Sequence, residues 1–132
     1  MTTAAEVANR IKSGDRVSFT YGSEAQDLGL ALTARLGEVE NVTVVVPTPS
    51  RDFGWYDPGW GSSFDVKIGY VPPFVRESMA DNLVDYVPGS LLWQADADVQ
   101  PIDVLFVEIS PPDHNGYCSF GASVWGKKRL MK

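Results

Sequence analysis

The sequence holds one cysteine, Cys118, and one histidine, His114. A lone cysteine excludes an intrachain disulfide and makes a reduced, cytoplasmic compartment the expectation. One Cys and one His leave too few ligands for a zinc site, so no metal is expected. Any Ser-His-Asp or Cys-His device would have to use His114, four residues from Cys118 in what reads as one tight loop. A surface histidine and a small packing cysteine account for the pair more simply. Gly-x-x-x-x-Gly-Lys-Ser/Thr and Gly-x-Gly-x-x-Gly are both absent, which removes the phosphate loop and the dinucleotide fingerprint. No window approaches the ~20 apolar residues of a membrane span. The N-terminus lacks a basic start followed by an apolar run, so no signal peptide is expected. Positive charge is also short: 11 Lys and Arg face 17 Asp and Glu, a net −6. That argues against nucleic acid or an anionic membrane as partner.

What is present suits one α/β domain over residues 1–132, with 44% hydrophobic residues to fill a core. Thr3-Ala-Ala-Glu6 is a capping box, and Ala4, Val7, Ala8 and Ile11 follow at helical spacing. This predicts a helix over 3–12, stopped at Gly14. Arg16 to Thr20 reads as a strand and Tyr21-Gly22 as a turn. Ser23-Glu-Ala-Gln26 is a second capping-box pattern, opening a helix to about Gly37 with Leu28, Leu32 and Leu36 as its stripe. The run Asn41 to Val46 predicts a strand buried on both faces. Residues 16–46 thus form a strand–helix–strand unit, which favours a mostly parallel sheet flanked by helices.

Pro47 to Gly69 reads as one long irregular connection, of the kind usually tied to function or an interface. Trp55 and Trp60 sit inside it and are expected at the surface, against a partner. Further on, the pattern predicts short helices over 74–83 and 90–98 and a short strand over 84–88. Ile102 to Ile109 reads as the strongest strand in the chain.

Ligands of open parallel sheets bind outside the carboxyl ends of the strands. The loops at Tyr21–Ser23, after Pro47 and after Ser110 leave such ends. The first opens a helix, whose free N–H groups favour an anion, although capping by Ser23 also explains the spacing. Pro111-Pro112 stiffens the exit from the last strand. Asp113-His-Asn-Gly116 is turn chemistry, with Asp113 an Asx-turn residue, and the loop can offer backbone donors to an acyl oxygen. Glu108, inside an apolar run, needs a partner such as Lys67 or Arg76. Glu24 is explained by its place at a helix start. The candidate substrate-contacting positions are therefore Gly22, Ser23, Glu24, Gln26, Glu108, Pro112, Asn115, Gly116, Tyr117 and Ser119.

The stretch Ser110-Pro-Pro-Asp-His-Asn-Gly-Tyr-Cys-Ser-Phe-Gly121 resembles the signature loop of the acetyl-CoA hydrolase/transferase family. Ser13-Gly-Asp-Arg-Val17 with Tyr21-Gly-Ser23, and Asp85-Tyr-Val-Pro88, resemble other family segments in the same order. The resemblance implies the CoA-transferase (sugar-phosphate isomerase-like) fold and an enzyme that moves CoA between carboxylic acids or hydrolyses acyl-CoA. A glutamate carboxylate attacks the thioester, giving an anhydride and then a glutamyl-CoA thioester. The acyl-CoA is a substrate, and no permanently bound cofactor is implied. Where family members carry proline at the start of the first long helix, this chain has Glu24-Ala25-Gln26. The family's glutamate lies in a second half, and neither Glu24 nor Glu108 matches its position, so no catalytic residue is assigned here. The implied partners are a second half or subunit, as a hetero- or homo-oligomer, an acyl-CoA and a small carboxylic acid. A non-catalytic acyl-binding or assembly module of the same fold is the alternative, as is an acyl-CoA hydrolase.

Overall fold

The computed structural model describes residues 2–88, 101–121, 125, 126, 128 and 131. The helix expected over 90–98 lies outside them. Five parallel strands form one sheet in the order β4-β3-β2-β1-β5. They are β1 (Arg16–Phe19), β2 (Val42–Val46), β3 (Phe64–Ile68), β4 (Asp85–Tyr86) and β5 (Val104–Phe106). Helix α1 (Ala4–Ala8) packs on α2 (Gln26–Thr33), and α3 (Arg76–Ala80) follows a short 3-10 turn at Pro73–Val75.

The capping box forms as the spacing predicts: Glu6 N–H donates to Thr3 Oγ1, and Thr3 N–H donates back to Glu6 Oε2. The helix it opens is shorter than predicted. Arg35 explains the stop, because its guanidinium reaches across from beyond α2 and donates to the carbonyls of Ala8 and Ile11 at 2.8 and 2.6 Å. A charged donor thus satisfies carbonyls that a longer helix would have bonded internally. Gly14 then turns the chain with φ +85°.

The β1–α2–β2 unit is present with its predicted direction, Val17 pairing with Val44. Two details differ. Strand β2 buries Val42, Val44 and Val46 fully, while Thr43 and Val45 are only half-buried. Helix α2 ends at Thr33, so Leu36 falls in a turn and is exposed.

The larger correction concerns 47–69. It contains β3, whose Phe64, Val66 and Ile68 alternate inward with Asp65 and Lys67. Trp55 and Tyr56 are each only 1% exposed, and Phe53 and Trp60 join them in or against the core. Phe19 is the hub, its ring 6.0 Å from Phe53, 5.8 Å from Trp55 and 5.4 Å from Phe106. The segment is therefore a lid of aromatics folded onto the sheet, not a surface held out to a partner. The one-sided valine stripe leaves room for it, and mutually tilted rings fill that room well.

Strand β5 is also shorter and less buried than its apolar run predicts. It is an edge strand, only Phe106 is buried in it, and Ile109 is exposed. An apolar run is buried on both faces only where other elements cover both faces of the sheet.

Candidate functional site

The strand order carries the functional geometry. Strands β1 to β4 add in sequence toward one edge, and the chain then returns to place β5 on the other side of β1. The order reverses between β1 and β5. In open parallel sheets, ligand crevices form at that reversal, outside the carboxyl ends of the two strands. An open cleft of about 600 Å³ lies there, lined by Ala25, Gln26, Asp27, Leu28, Val107, Glu108 and Ile109. Its walls are the residues that follow β1, at the start of α2, and those that follow β5.

Of the positions predicted from sequence, the fold brings Gln26 and Glu108 together in this cleft. Glu108 gets there for a reason other than the one expected. It lies beyond the end of β5 and is exposed, so its charge is not buried within the strand. Lys67 is not its partner: that ammonium bonds Asp85 and Asp65 at 2.7 and 3.0 Å. No side chain caps the first turn of α2, whose N-cap is Ala25. The second capping box does not form. Thr20 and Ser23 close a tight bridge instead, with the Thr20 hydroxyl donating to Ser23 O.

Gly22 and Glu24 are engaged away from the cleft. Gly22 N–H donates to Thr48 Oγ1 at 2.8 Å. Glu24 is 3% exposed, and its Oε2 accepts from Ser50 N–H at 2.9 Å and Ser50 Oγ–H at 2.5 Å. These crossing bonds clasp the loop after β1 to the loop after β2. Helix-start preference does not account for Glu24, which holds a neighbouring loop. Thr48 and Ser50 escaped sequence reading. Their only signal was Pro47-Thr-Pro-Ser50, whose prolines favour an extended segment.

The signature loop closes on itself. Ser110 N–H donates to Ser119 O and Ser119 N–H to Ser110 Oγ, both at 2.8 Å. Asp113 Oδ1 accepts from the N–H groups of Asn115 and Tyr117, as an Asx turn should. Gly116 N–H donates to Asp113 O and takes φ +84°. The backbone N–H groups of Asn115, Gly116, Tyr117, Ser119 and Gly121 are thus bonded within the loop. Pro112, Asn115, Gly116, Tyr117 and Ser119 are all exposed on it, beyond the described lining of the cleft. Cys118 is exposed too, and so is not the packing residue its rarity suggested. Among the described residues, no cluster of three or more His, Cys, Asp or Glu could hold a metal, and no helix is long and apolar enough to cross a membrane.

No family model matches the chain. It is 25% identical over 128 residues to the 4-hydroxybutyrate coenzyme A transferase of Clostridium kluyveri, covering 93% of this chain and 30% of that protein. Its fold is similar to the solved structures of two RipA mutants, each with a TM-score of 0.73. Those matches are 22% and 23% identical, cover 91% and 92% of this chain, and take in 30% and 31% of the RipA chains. The chain thus spans about a third of the length of each protein it matches. The α/β fold with its parallel sheet is shared with RipA, and the sequence is distantly similar to one CoA transferase. That similarity supports a CoA-transfer-related enzyme family, a coarser statement than the acetyl-CoA hydrolase/transferase family that the Ser110–Gly121 stretch resembles.

The clasp makes a prediction about pH. Burial pushes the Glu24 carboxyl above its ordinary value, against the opposing pull of the Ser50 donors and Arg51. A carboxyl raised in the folded state contributes stability fully below its unfolded value of 4.5. That contribution is lost as pH rises through the folded value, because the unfolded chain releases the proton first. Glu24→Gln keeps an acceptor for Ser50 and removes the titration. Its stability relative to the natural protein is expected to improve steadily as pH rises above 4.5. Urea unfolding over the acid-to-neutral range measures this, and a pH-independent difference would refute it.

Proposed function

We propose that this chain forms one part of an acyl-CoA:carboxylate CoA-transferase, with the β1–β5 cleft receiving the acyl and pantetheine end of the thioester. The observation that carries this reading is the coincidence of the cleft with the reversal of strand order. The distant similarity to a CoA transferase supplies the chemistry.

The lining fits an uncharged ligand segment. Leu28, Val107 and Ile109 offer apolar wall, and Gln26 offers an amide that can both donate and accept. Asp27 and Glu108 make the cleft acidic, which disfavours the phosphates of CoA and suits its amide and thioester portion. In the proposed reaction, a glutamate of a second half attacks the thioester carbonyl and expels CoA thiolate, leaving a mixed anhydride. The thiolate then attacks the glutamyl carbonyl and releases the first acid. The second acid regenerates the cycle in reverse. The role left to this chain is to position substrate. Gln26 and Glu108 are the proposed contacts in the cleft, and Pro112, Asn115, Gly116, Tyr117 and Ser119 would reach substrate only from the signature loop.

The test is direct binding. Ile109→Asp adds a third carboxylate to the cleft at a site already 47% exposed, where folding tolerates it. It is expected to weaken butyryl-CoA binding about tenfold, roughly 1.4 kcal/mol. Borohydride trapping with labelled acyl-CoA should leave no adduct on this chain. An adduct on one of its own carboxylates, or binding indifferent to Ile109→Asp, would overturn the assignment.

A further inference from the structure

Behind the clasp lies a polar cluster that the cleft does not use. Three buried polar atoms have no hydrogen-bond partner among the described residues: Glu24 Oε1, Trp55 Nε1 and Tyr56 Oη. Their residues are 3%, 1% and 1% exposed. Leaving such a group unsatisfied costs about 1–3 kcal/mol, so three in one small domain call for a common explanation.

The three belong to one neighbourhood. The Trp55 and Tyr56 rings meet edge to face at 6.4 Å. Trp55 Nε1 is near enough to Tyr56 Oη to ease its ionisation, though not in bonding geometry, while burial and the charges of Glu24 and Asp52 oppose that ionisation. Glu24 is fixed by its other oxygen, which takes both Ser50 bonds, and the backbone N–H and the guanidinium of Arg51 both lie near the carboxyl.

The donor inventory selects the ligand. Trp55 Nε1–H can only donate, Glu24 Oε1 accepts when the carboxyl is ionised and donates when it is protonated, and Tyr56 Oη can do either. An ammonium would leave the indole unmatched. A carboxylate would confront the charge of an ionised Glu24. A hydroxyl oxygen accepts and donates at once, so a single such atom has the capacity to match all three.

We infer that Glu24, Trp55 and Tyr56 build a buried site for a single hydroxyl oxygen, brought by a water molecule or by the hydroxyl of a small organic ligand. The site stands independently of the transferase reading, since none of the three residues lines the cleft. It also gives the Glu24–Ser50 clasp a second task, holding one ligating oxygen in place.

Tyr56→Phe in the full chain is the decisive variant, because it removes one oxygen and keeps the ring. If the site is occupied, the urea midpoint falls with an unchanged slope. An unchanged or raised midpoint overturns the inference, since deleting an orphaned buried hydroxyl relieves its desolvation. The Trp55 indole proton, assigned by its loss in Trp55→Phe, supplies a second reading by NMR. A cross-peak to water identifies solvent as the source. A shift on adding 4-hydroxybutyrate but not butyrate identifies a ligand hydroxyl. An indole proton that contacts neither overturns the site even if Tyr56→Phe is destabilised.

Discussion

Trp55→Ala is expected to destabilise the protein by about 3–5 kcal/mol, the usual cost of truncating a large core aromatic. Trp55 touches the rings of Phe19, Phe53, Tyr56 and Phe64, at centroid distances from 4.9 to 6.4 Å. Its removal leaves a void that these rings cannot all collapse into, because Phe19 is anchored in β1 and Phe64 in β3. A domain of this size holds only ~5–15 kcal/mol in total. The variant should therefore unfold well below the natural protein's midpoint in a thermal or urea scan. A surface tryptophan would lose under about 0.5 kcal/mol, so the measurement separates a core lid from a partner face.

Gly29→Ala is the second large effect, and its sign runs against helix propensity. Alanine in a helix interior is worth about 1 kcal/mol over glycine. Here a Cβ on Gly29 would sit 2.6 and 2.7 Å from two ring carbons of Phe53. That ring is 7% exposed and held by Phe19 and Trp55, so it has little room to retreat. Overpacking costs about 1–3 kcal/mol, and a net loss of stability is expected. Adding Phe53→Leu should recover part of it. A double-mutant cycle with no coupling between the two sites would show that the ring moves freely.

The parts of the fold legible in the sequence are those set by local chemistry. The Thr3–Glu6 box, the Gly14 turn and the Asx turn at Asp113 depend on neighbours a few residues away, and the β1–α2–β2 unit follows from the local pattern of each of its three elements in turn. The misread parts depend on distant residues. Strand β3 was hidden because Phe64-Asp-Val-Lys-Ile68 is short and lies in Gly- and Pro-rich surroundings, yet β2 pairs with it along its whole length. Ser23-Glu-Ala-Gln26 had the letters of a capping box, but Ser50 claimed the Glu24 carboxylate from 26 residues away. For the site, the rule of strand ends points to the loops after β1, β2 and β5, while Glu108 stands out as a charge within an apolar run and Gln26 as the last residue of the second capping-box pattern. That rule could not place the cleft between the two residues, because the position of β5 next to β1 is written in no local pattern.

That position has a consequence for how the protein folds. β1 meets β5 through bonds between Arg16 and Asp103, partners 87 residues apart in the chain. Every other strand pair closes a shorter loop and is joined in sequence order. Closing the longest loop costs the most chain entropy and is rewarded by only a three-residue strand. β5 is therefore expected to dock last, onto a sheet already assembled from β1 to β4. On that order, the cleft between β1 and β5 is completed only at the final step.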